Sequence, residues 1–136
     1  MDFPFRNSLP GDHSRKMTRA LAGMLVAIAL LAGCGGNNVT QPAGSTKVTM
    51  TEFKFDPSDI TVPHGKVVFF LVNSGNTQHD LAIRDSSNNR LSVSELVSSG
   101  DSIVFTVDKI DAGTYTIYCT QQGHEASGMK GKLTVT

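Results

Sequence analysis

The feature that most constrains the fold is the region from residue 47 onward, which consists of short runs rich in Val, Ile, Phe and Thr. Turn residues such as Pro, Gly, Asn and Asp separate these runs, and none of them shows the apolar repeat of a long amphipathic helix. The pattern predicts about seven or eight strands. Short strands at this spacing, each with one buried face, are typical of an all-β, Greek-key sandwich of two sheets.

Three runs indicate how strands lie in this sandwich. The unbroken apolar run 67–72 predicts a strand in the middle of a sheet, buried on both faces. The run 102–107 alternates, so that positions 103, 105 and 107 share one face. The step from Asp111 to Tyr115 resembles the tyrosine corner of Greek-key sandwiches, although simple core packing of Tyr115 explains it equally well. The other predicted strands are 47–55, 60–62, 79–84, 113–119 and 132–136.

Chain length and charge exclude several classes of protein. At 136 residues the chain is too short for a doubly wound nucleotide-binding enzyme or a polytopic membrane protein. Its 12 basic and 12 acidic residues balance, so it lacks the positive surplus that nucleic-acid binding draws on. We therefore expect a single small domain that is monomeric and has no nucleic-acid partner.

The amino-terminal third is typical of an export signal. The apolar run 21–33 follows Arg15, Lys16 and Arg19, and it is too short to span a bilayer comfortably. Residues 1–33 therefore predict a signal peptide, with Met17 as an alternative start of the chain. An ordinary leader without a lipid and a short membrane anchor are the other interpretations.

The end of this leader resembles the bacterial lipobox, in which a peptidase cleaves before a cysteine that carries a lipid. Here the motif is Leu31-Ala32-Gly33-Cys34, so Cys34 is predicted to be the lipidated first residue of the mature protein. Residues 34–45, rich in Gly, Asn, Thr and Gln, predict a flexible tether, and residues 46–136 the folded domain. We expect an exported protein held on a cell membrane, facing the periplasm or the cell exterior.

A cluster of metal-binding residue types follows the predicted strand 113–119. Cys119, His124 and Met129 have the spacing Cys-x4-His-x4-Met and precede the last strand. Thiolate, imidazole and thioether are the soft and borderline donors that copper prefers. Because residues alternate along a strand, Cys119 shares a face with Ile117 and is expected to point into the core.

A copper site of this kind needs one more imidazole. His13 lies in the leader, and His64 lies in a Pro-His-Gly turn that is expected to be a solvated corner. His79 begins a strand immediately after a loop and is therefore the candidate. The predicted donor set of two imidazoles, a thiolate and a weak axial thioether, typical of blue-copper electron transfer, is His79, Cys119, His124 and Met129.

These residues and their order along the chain resemble the cupredoxin family over about residues 46–136, and the ligand loop looks most like that of auracyanins and rusticyanins. The resemblance implies one type 1 copper ion, with His79, Cys119 and His124 in a trigonal plane and Met129 axial. It also implies that electrons enter or leave through the exposed edge of His124.

The resemblance also suggests a contact between the two ligand loops. Family members often have Asn after the first histidine, where this chain has Asp80. We expect Asp80 to accept a hydrogen bond from the hydroxyl or backbone of Thr120, a supporting role beside the metal. The alternative is an Asp80 that faces solvent.

The predicted function is a one-electron carrier and not an enzyme, because all four donors come from the protein and leave no open position for a substrate. Redox proteins of the cytochrome, oxidase or reaction-centre type are the expected partners. A periplasmic copper chaperone that delivers copper to an oxidase is the alternative, and a copper-free binding sandwich remains if the four residues do not converge. A binuclear copper domain is excluded, because it needs two cysteines in the loop that holds Cys119.

Overall fold

The structure, a computed structural model, describes residues 39–136, so the predicted signal peptide 1–33 and the predicted lipidation site Cys34 lie outside the described residues. The described residues form nine strands and no helix. No helix long and apolar enough to cross a membrane is found between residues 39 and 136. The strands are β1 (Thr46–Thr51), β2 (Lys54–Asp56), β3 (Asp59–Val62), β4 (Gly65–Asn73), β5 (Ala82–Arg84), β6 (Arg90–Val93), β7 (Ser102–Ile110), β8 (Gly113–Tyr118) and β9 (Lys130–Val135).

The strands form two mixed sheets, which confirms the predicted all-β sandwich. The four-stranded sheet has the order β2-β1-β4-β7, and the five-stranded sheet has the order β3-β9-β8-β5-β6. Two neighbouring pairs are parallel, β1 with β4 and β3 with β9, and the others are antiparallel. The chain therefore crosses between the sheets repeatedly, and its loops collect at the two ends of the sandwich.

The core lies between the inner faces of the two sheets. Phe69 of β4 pairs with Phe105 of β7, and their rings stack with centroids 6.0 Å apart. Ile117 of β8 and Leu133 of β9, both fully buried, belong to the same core cluster from the other sheet. Burying each of these side chains contributes about 2 kcal/mol, which makes the sandwich a rigid frame for its loops.

The strand count differs from the prediction because two short strands carry weak sequence signals. The predicted strand 47–55 is divided by a turn in which Phe53 has a φ of 62° and exposes 43% of its surface. β6 was not predicted, because this edge strand is mostly exposed and lacks a buried apolar face. β4 is central as predicted, but Val68 and Val72 on its outer face are only half-buried.

One end of the sandwich gathers the loops that carry the predicted ligands, and we call it the ligand end. β1, β4 and β8 finish there, and β2, β5, β7 and β9 begin there, as the backbone hydrogen bonds from Ser74 to Met50 and from Asn73 to Asp101 show. At the opposite end, the Tyr115 hydroxyl donates to the Asp111 carbonyl over 2.8 Å, the geometry of a tyrosine corner, and Tyr115 is half-buried.

Candidate metal centre

Three of the four predicted ligands come together at the ligand end. One donor atom from each of His79, Cys119 and His124 lies within 4.8 Å of the other two. The Cys119 Sγ is 3.6 Å from the His124 Nδ1, and the centroids of the two imidazole rings are 5.0 Å apart. Two imidazoles and one thiolate at this separation can converge on a single soft or borderline metal ion.

His79 has the burial and the unpaired ring nitrogen expected of a metal ligand. The residue is fully buried, and its Nδ1 has no hydrogen-bond partner among the described residues. Its Nε2 instead lies 3.4 Å from the Thr77 hydroxyl and 3.8 Å from a carboxylate oxygen of Glu52. A buried polar atom without a partner is costly, so a metal at Nδ1 would account for the orphaned nitrogen.

Burial also sets the protonation of this imidazole. Desolvation lowers the pKa of His79, and the nearby His124 lowers it further. The neutral ring that this favours is the form that binds a metal. Glu52 opposes the shift but does not overcome it.

The loop of His79, residues 74–81, is held by side chains from outside the loop. Asn73, which is 1% exposed, donates through Nδ2 to the carbonyls of Thr77 and Val97 over 2.7 and 2.8 Å. Its Oδ1 accepts from the Gly75 N–H over 2.9 Å. The backbone of His79 completes the attachment by exchanging hydrogen bonds with Val97.

Glu52, in the turn between β1 and β2, binds the same loop from the other side. Its carboxylate accepts hydrogen bonds from the backbone N–H groups of Asn76 and Thr77, and these contacts lower the pKa of Glu52. The close approach of Glu52 to this loop requires glycine at position 75. A Cβ there would lie 2.7 Å from the Glu52 carboxylate and 3.0 Å from the His79 Nε2. The carboxylate therefore holds the loop and borders the imidazole at once.

Cys119 lies at the end of β8 with its side chain inward, as alternation predicts. It is 1% exposed and is a free thiol. Burial raises the pKa of Cys119, so the thiol keeps its proton until a cation replaces it. Binding of a metal at this position would therefore release a proton.

Asp80 joins the two ligand loops. Its carboxylate accepts hydrogen bonds from both the backbone N–H of Thr120, over 2.6 Å, and the Thr120 hydroxyl. Asp80 is 3% exposed, which excludes the solvent-facing alternative. Asp80 follows His79, and Thr120 follows Cys119. Their hydrogen bonds therefore hold these two ligands at a fixed separation.

The loop of His124, residues 119–129, is closed mainly by its own backbone. The Cys119 N–H donates to the Met129 carbonyl over 3.1 Å, and the Met129 N–H donates to the His124 carbonyl over 2.9 Å. Met129 is fully buried and belongs to the core cluster. Gly128 has a φ of 112°, a conformation that glycine adopts without strain, and it turns the chain back toward β9. The backbone of the fourth predicted ligand therefore lies beside Cys119 and His124.

Two further contacts fasten the His124 loop to the sandwich. Arg84 of β5 forms a two-pronged ion pair with Glu125, and its guanidinium also lies 4.4 Å from the centre of the Tyr118 ring. Phe53 packs edge-on against His124 with centroids 5.2 Å apart. His124 nevertheless stays half-exposed, so one side of the cluster is open to solvent.

The residues that the structure adds are Asn73, Glu52, Gly75 and the Arg84–Glu125 pair. In the sequence Asn73 and Gly75 stand in a stretch that reads only as the end of a strand, and Glu52 as one charge within a predicted strand. The chain turns at Glu52 and Phe53 instead of continuing as one strand from 47 to 55, and the prediction of a single strand missed this turn.

His64 is exposed and hydrogen-bonded to the Thr136 carbonyl, as expected for a solvated corner. A cleft of about 410 Å³ beside Tyr115 is lined by none of the predicted ligands.

A family of known proteins matches most of the chain. The cupredoxin-like domain family matches residues 22–135. Plastocyanin of Daucus carota is 34% identical over 88 residues, a match that covers 60% of this chain and 87% of that protein. Chloroplastic plastocyanin B of Populus nigra is 32% identical over 87 residues, and there the chain spans about half of its relative, 51%.

Solved structures share the fold. The auracyanin of Roseiflexus castenholzii superposes with a TM-score of 0.62 at 22% identity, covering 71% of this chain and 99% of that one. Auracyanin A of Chloroflexus aurantiacus, a "blue" copper protein, superposes with a TM-score of 0.55 at 24% identity, covering 66% and 99%. At identities of 22% and 24%, the likeness to these structures establishes the fold alone.

Proposed function

The chain belongs to the cupredoxin family and its cofactor is one type 1 copper ion, and on that premise we propose that it is a one-electron carrier, exported and tethered to a membrane by a lipid at Cys34. The observation that carries the proposal is the orphaned Nδ1 of the buried His79 beside the Cys119 thiol and the His124 imidazole. We propose that these three residues would hold the metal and that Met129 would supply a thioether as a further donor.

When bound, the copper would accept one electron from a reduced partner as Cu(II) and pass it to an oxidised partner as Cu(I). The protein's part is to keep its donors in nearly one arrangement for both states, because groups that need not move cost little reorganisation. Asp80 ties the Cys119 strand end to the His79 loop, and Asn73 and Glu52 hold that loop against the sandwich. These contacts support a carrier whose ligands are held in place by the fold.

The route of the electron follows from exposure. His79 and Cys119 are buried, whereas His124 is half-exposed between the exposed ring of Phe53 and the small residues of its own loop. A redox partner of the cytochrome, oxidase or reaction-centre type could therefore approach the ring edge of His124. All four proposed donors come from the protein, so the proposal assigns no substrate and no catalysis.

The test is the visible spectrum of the purified full chain after addition of Cu(II). We expect an intense band from a copper–thiolate bond that bleaches with ascorbate and returns on reoxidation. Cys119→Ser should abolish the band. Cys34→Ser is the matched control, because it removes the other cysteine of the chain and should leave the colour unchanged.

Matched variants assign the remaining ligands. His79→Gln should abolish the band, whereas His64→Gln, at the exposed corner, should not. Met129→Leu should shift the band and the reduction potential, whereas Met50→Leu, at an equally buried methionine in β1, should shift neither. A colourless protein that binds Cu(I) and not Cu(II) would contradict electron transfer and favour copper delivery to an oxidase. No binding of either ion would leave a copper-free sandwich.

A further inference from the structure

The chain that leads into β1 is attached to the ligand end of the sandwich. The backbone N–H of Val39 donates to the Ser102 hydroxyl over 3.2 Å. Ser102 begins β7 and pairs with Val72, the neighbour of the Asn73 that holds the His79 loop. Val39 therefore lies at the ligand end of the sandwich. The strand that follows it, β1, begins beside the middle of β4.

A turn allows this arrangement. The Ser45 N–H and hydroxyl both donate to the Pro42 carbonyl, over 3.2 and 2.7 Å, which closes a turn just before β1. Thr46, the first residue of β1, pairs with Phe69 in the middle of β4. The chain thus comes from the ligand end, turns at residues 42–45, and enters β1 heading back toward the ligand end.

The same segment must cross the outer face of the four-stranded sheet. It begins at Ser102 on β7 and ends at β1, and β4 lies between these two strands. Phe70 of β4 pairs with Val104 and Lys47 on this outer face and is not part of the core cluster, yet it is only 8% exposed. Burial of an apolar side chain on this face is what a segment that crosses the face would produce.

Docking moves the point at which the chain first contacts the sandwich from Thr46 to Val39. Cys34 and Val39 are five residues apart, which allows a separation of at most about 17 Å. If the chain were free as far as Thr46, the corresponding reach would be about 40 Å. The nine-residue strand β4 spans about 30 Å, so the shorter reach cannot extend from one end of the sandwich to the other.

We propose that the docked segment 39–45 keeps the ligand end beside the membrane, so that a redox partner meets the ring edge of His124 close to the bilayer. The inference rests on the lipid anchor at Cys34 proposed above. Because Cys34 lies at most about 17 Å from Val39 at the ligand end, the sandwich can tilt or lie on its side. It cannot place His124 a full sandwich length away from the membrane.

The arrangement can be measured on the protein purified from membranes and reconstituted into phosphatidylcholine vesicles with a headgroup fluorophore whose emission overlaps the copper–thiolate band. We expect strong quenching of the fluorophore by the oxidised protein and recovery when ascorbate bleaches the copper. A twelve-residue Gly-Ser insertion between Asn37 and Asn38 raises the maximum reach to about 60 Å and the average reach of a flexible chain to about 23 Å, so it should weaken the quenching. The same twelve residues appended after Thr136 are the control and should change nothing.

The docked segment has its own test, which needs neither lipid nor copper. Hydrogen exchange of the Val39 amide in the full chain should be slow, fast in Ser102→Ala, and slow again in Ser102→Thr, which keeps the hydroxyl. Exchange at the rate of an unstructured peptide in the unaltered protein would overturn the docking. Protein that floats with vesicles but quenches no more than the insertion variant would overturn the inference alone, whereas protein that does not float would overturn the lipid anchor and the inference with it.

Discussion

The two loops that bring the histidines to the metal centre are held in opposite ways. The loop of His79 is bound by groups outside it, with Asn73, Glu52 and the backbone of Val97 all contacting residues 75–79. The loop of His124 is closed largely by its own backbone, and its ties to the sandwich are the contacts at Thr120, Glu125 and the ring of His124. One histidine is fully buried and the other half-exposed.

This difference separates two tasks of the proposed electron-transfer site. A donor surrounded by satisfied hydrogen bonds can keep its geometry through a change of charge, because its neighbours are already fixed. A donor that meets a partner has to reach the surface, where fewer groups can hold it. Asp80 is the point at which the rigid loop supports the exposed one, since its carboxylate binds Thr120 in the loop of His124.

Removing the tie between the loops should have the largest effect. Asp80→Ala removes the buried carboxylate that accepts hydrogen bonds from the N–H and hydroxyl of Thr120, and the loss of these two charge-assisted bonds should lower the free energy of unfolding by about 3 kcal/mol. Asp80→Asn keeps one acceptor oxygen and should lose about half as much. Urea unfolding of the copper-free protein measures both, and equal losses for the two variants would contradict a tie that depends on the acceptor.

Crowding the rigid loop should have an intermediate effect. A Cβ at Gly75 would meet the Glu52 carboxylate and the His79 Nε2, so Gly75→Ala should lower the free energy of unfolding by about 2 kcal/mol. It should also shift the copper–thiolate band, because the imidazole has to move. Gly113→Ala is the control, since its Cβ would find its nearest neighbour at 3.4 Å, far from the ligands. A destabilised Gly75→Ala with an unshifted band would show that the glycine serves folding alone.

Weakening the exposed loop should have the smallest effect. Arg84 lowers the pKa of Glu125, so this carboxyl stabilises the fold above its unfolded pKa and loses that contribution as the pH falls through its lowered folded pKa. Glu125→Gln should therefore cost about 0.5 kcal/mol at pH 7, and the difference from the unaltered protein should vanish in acid, once the pH lies below the lowered folded pKa of Glu125.

The control for this variant is Glu95→Gln, at an exposed glutamate that forms no ion pair with any residue between 39 and 136. It should leave stability unchanged at both values of pH. A difference for Glu125→Gln that persisted unchanged in acid would show that the side chain acts through packing instead of charge. Thermal unfolding of the two variants across this range of pH measures the comparison.

The donor set could be predicted from the sequence, because each donor is a distinctive residue type at a distinctive place. Cys119, His124 and Met129 share one loop, and local spacing is visible without a structure. His79 could be chosen because the chain has few histidines. Glu52 and Asn73 could not be chosen in this way, since polar residues at strand ends are common and their partners are distant in sequence.

By itself, the sequence determined the class of fold and the chemistry of the metal centre. Alternation and turn residues specify short strands locally, and the donor types specify the metal that they prefer. Only the tertiary structure decided which groups hold the donors, where β1 gives way to β2, and that Val39 is docked at the ligand end. These features depend on contacts between residues far apart along the chain, and such contacts are specified by the packing of the whole sandwich and not by any local pattern.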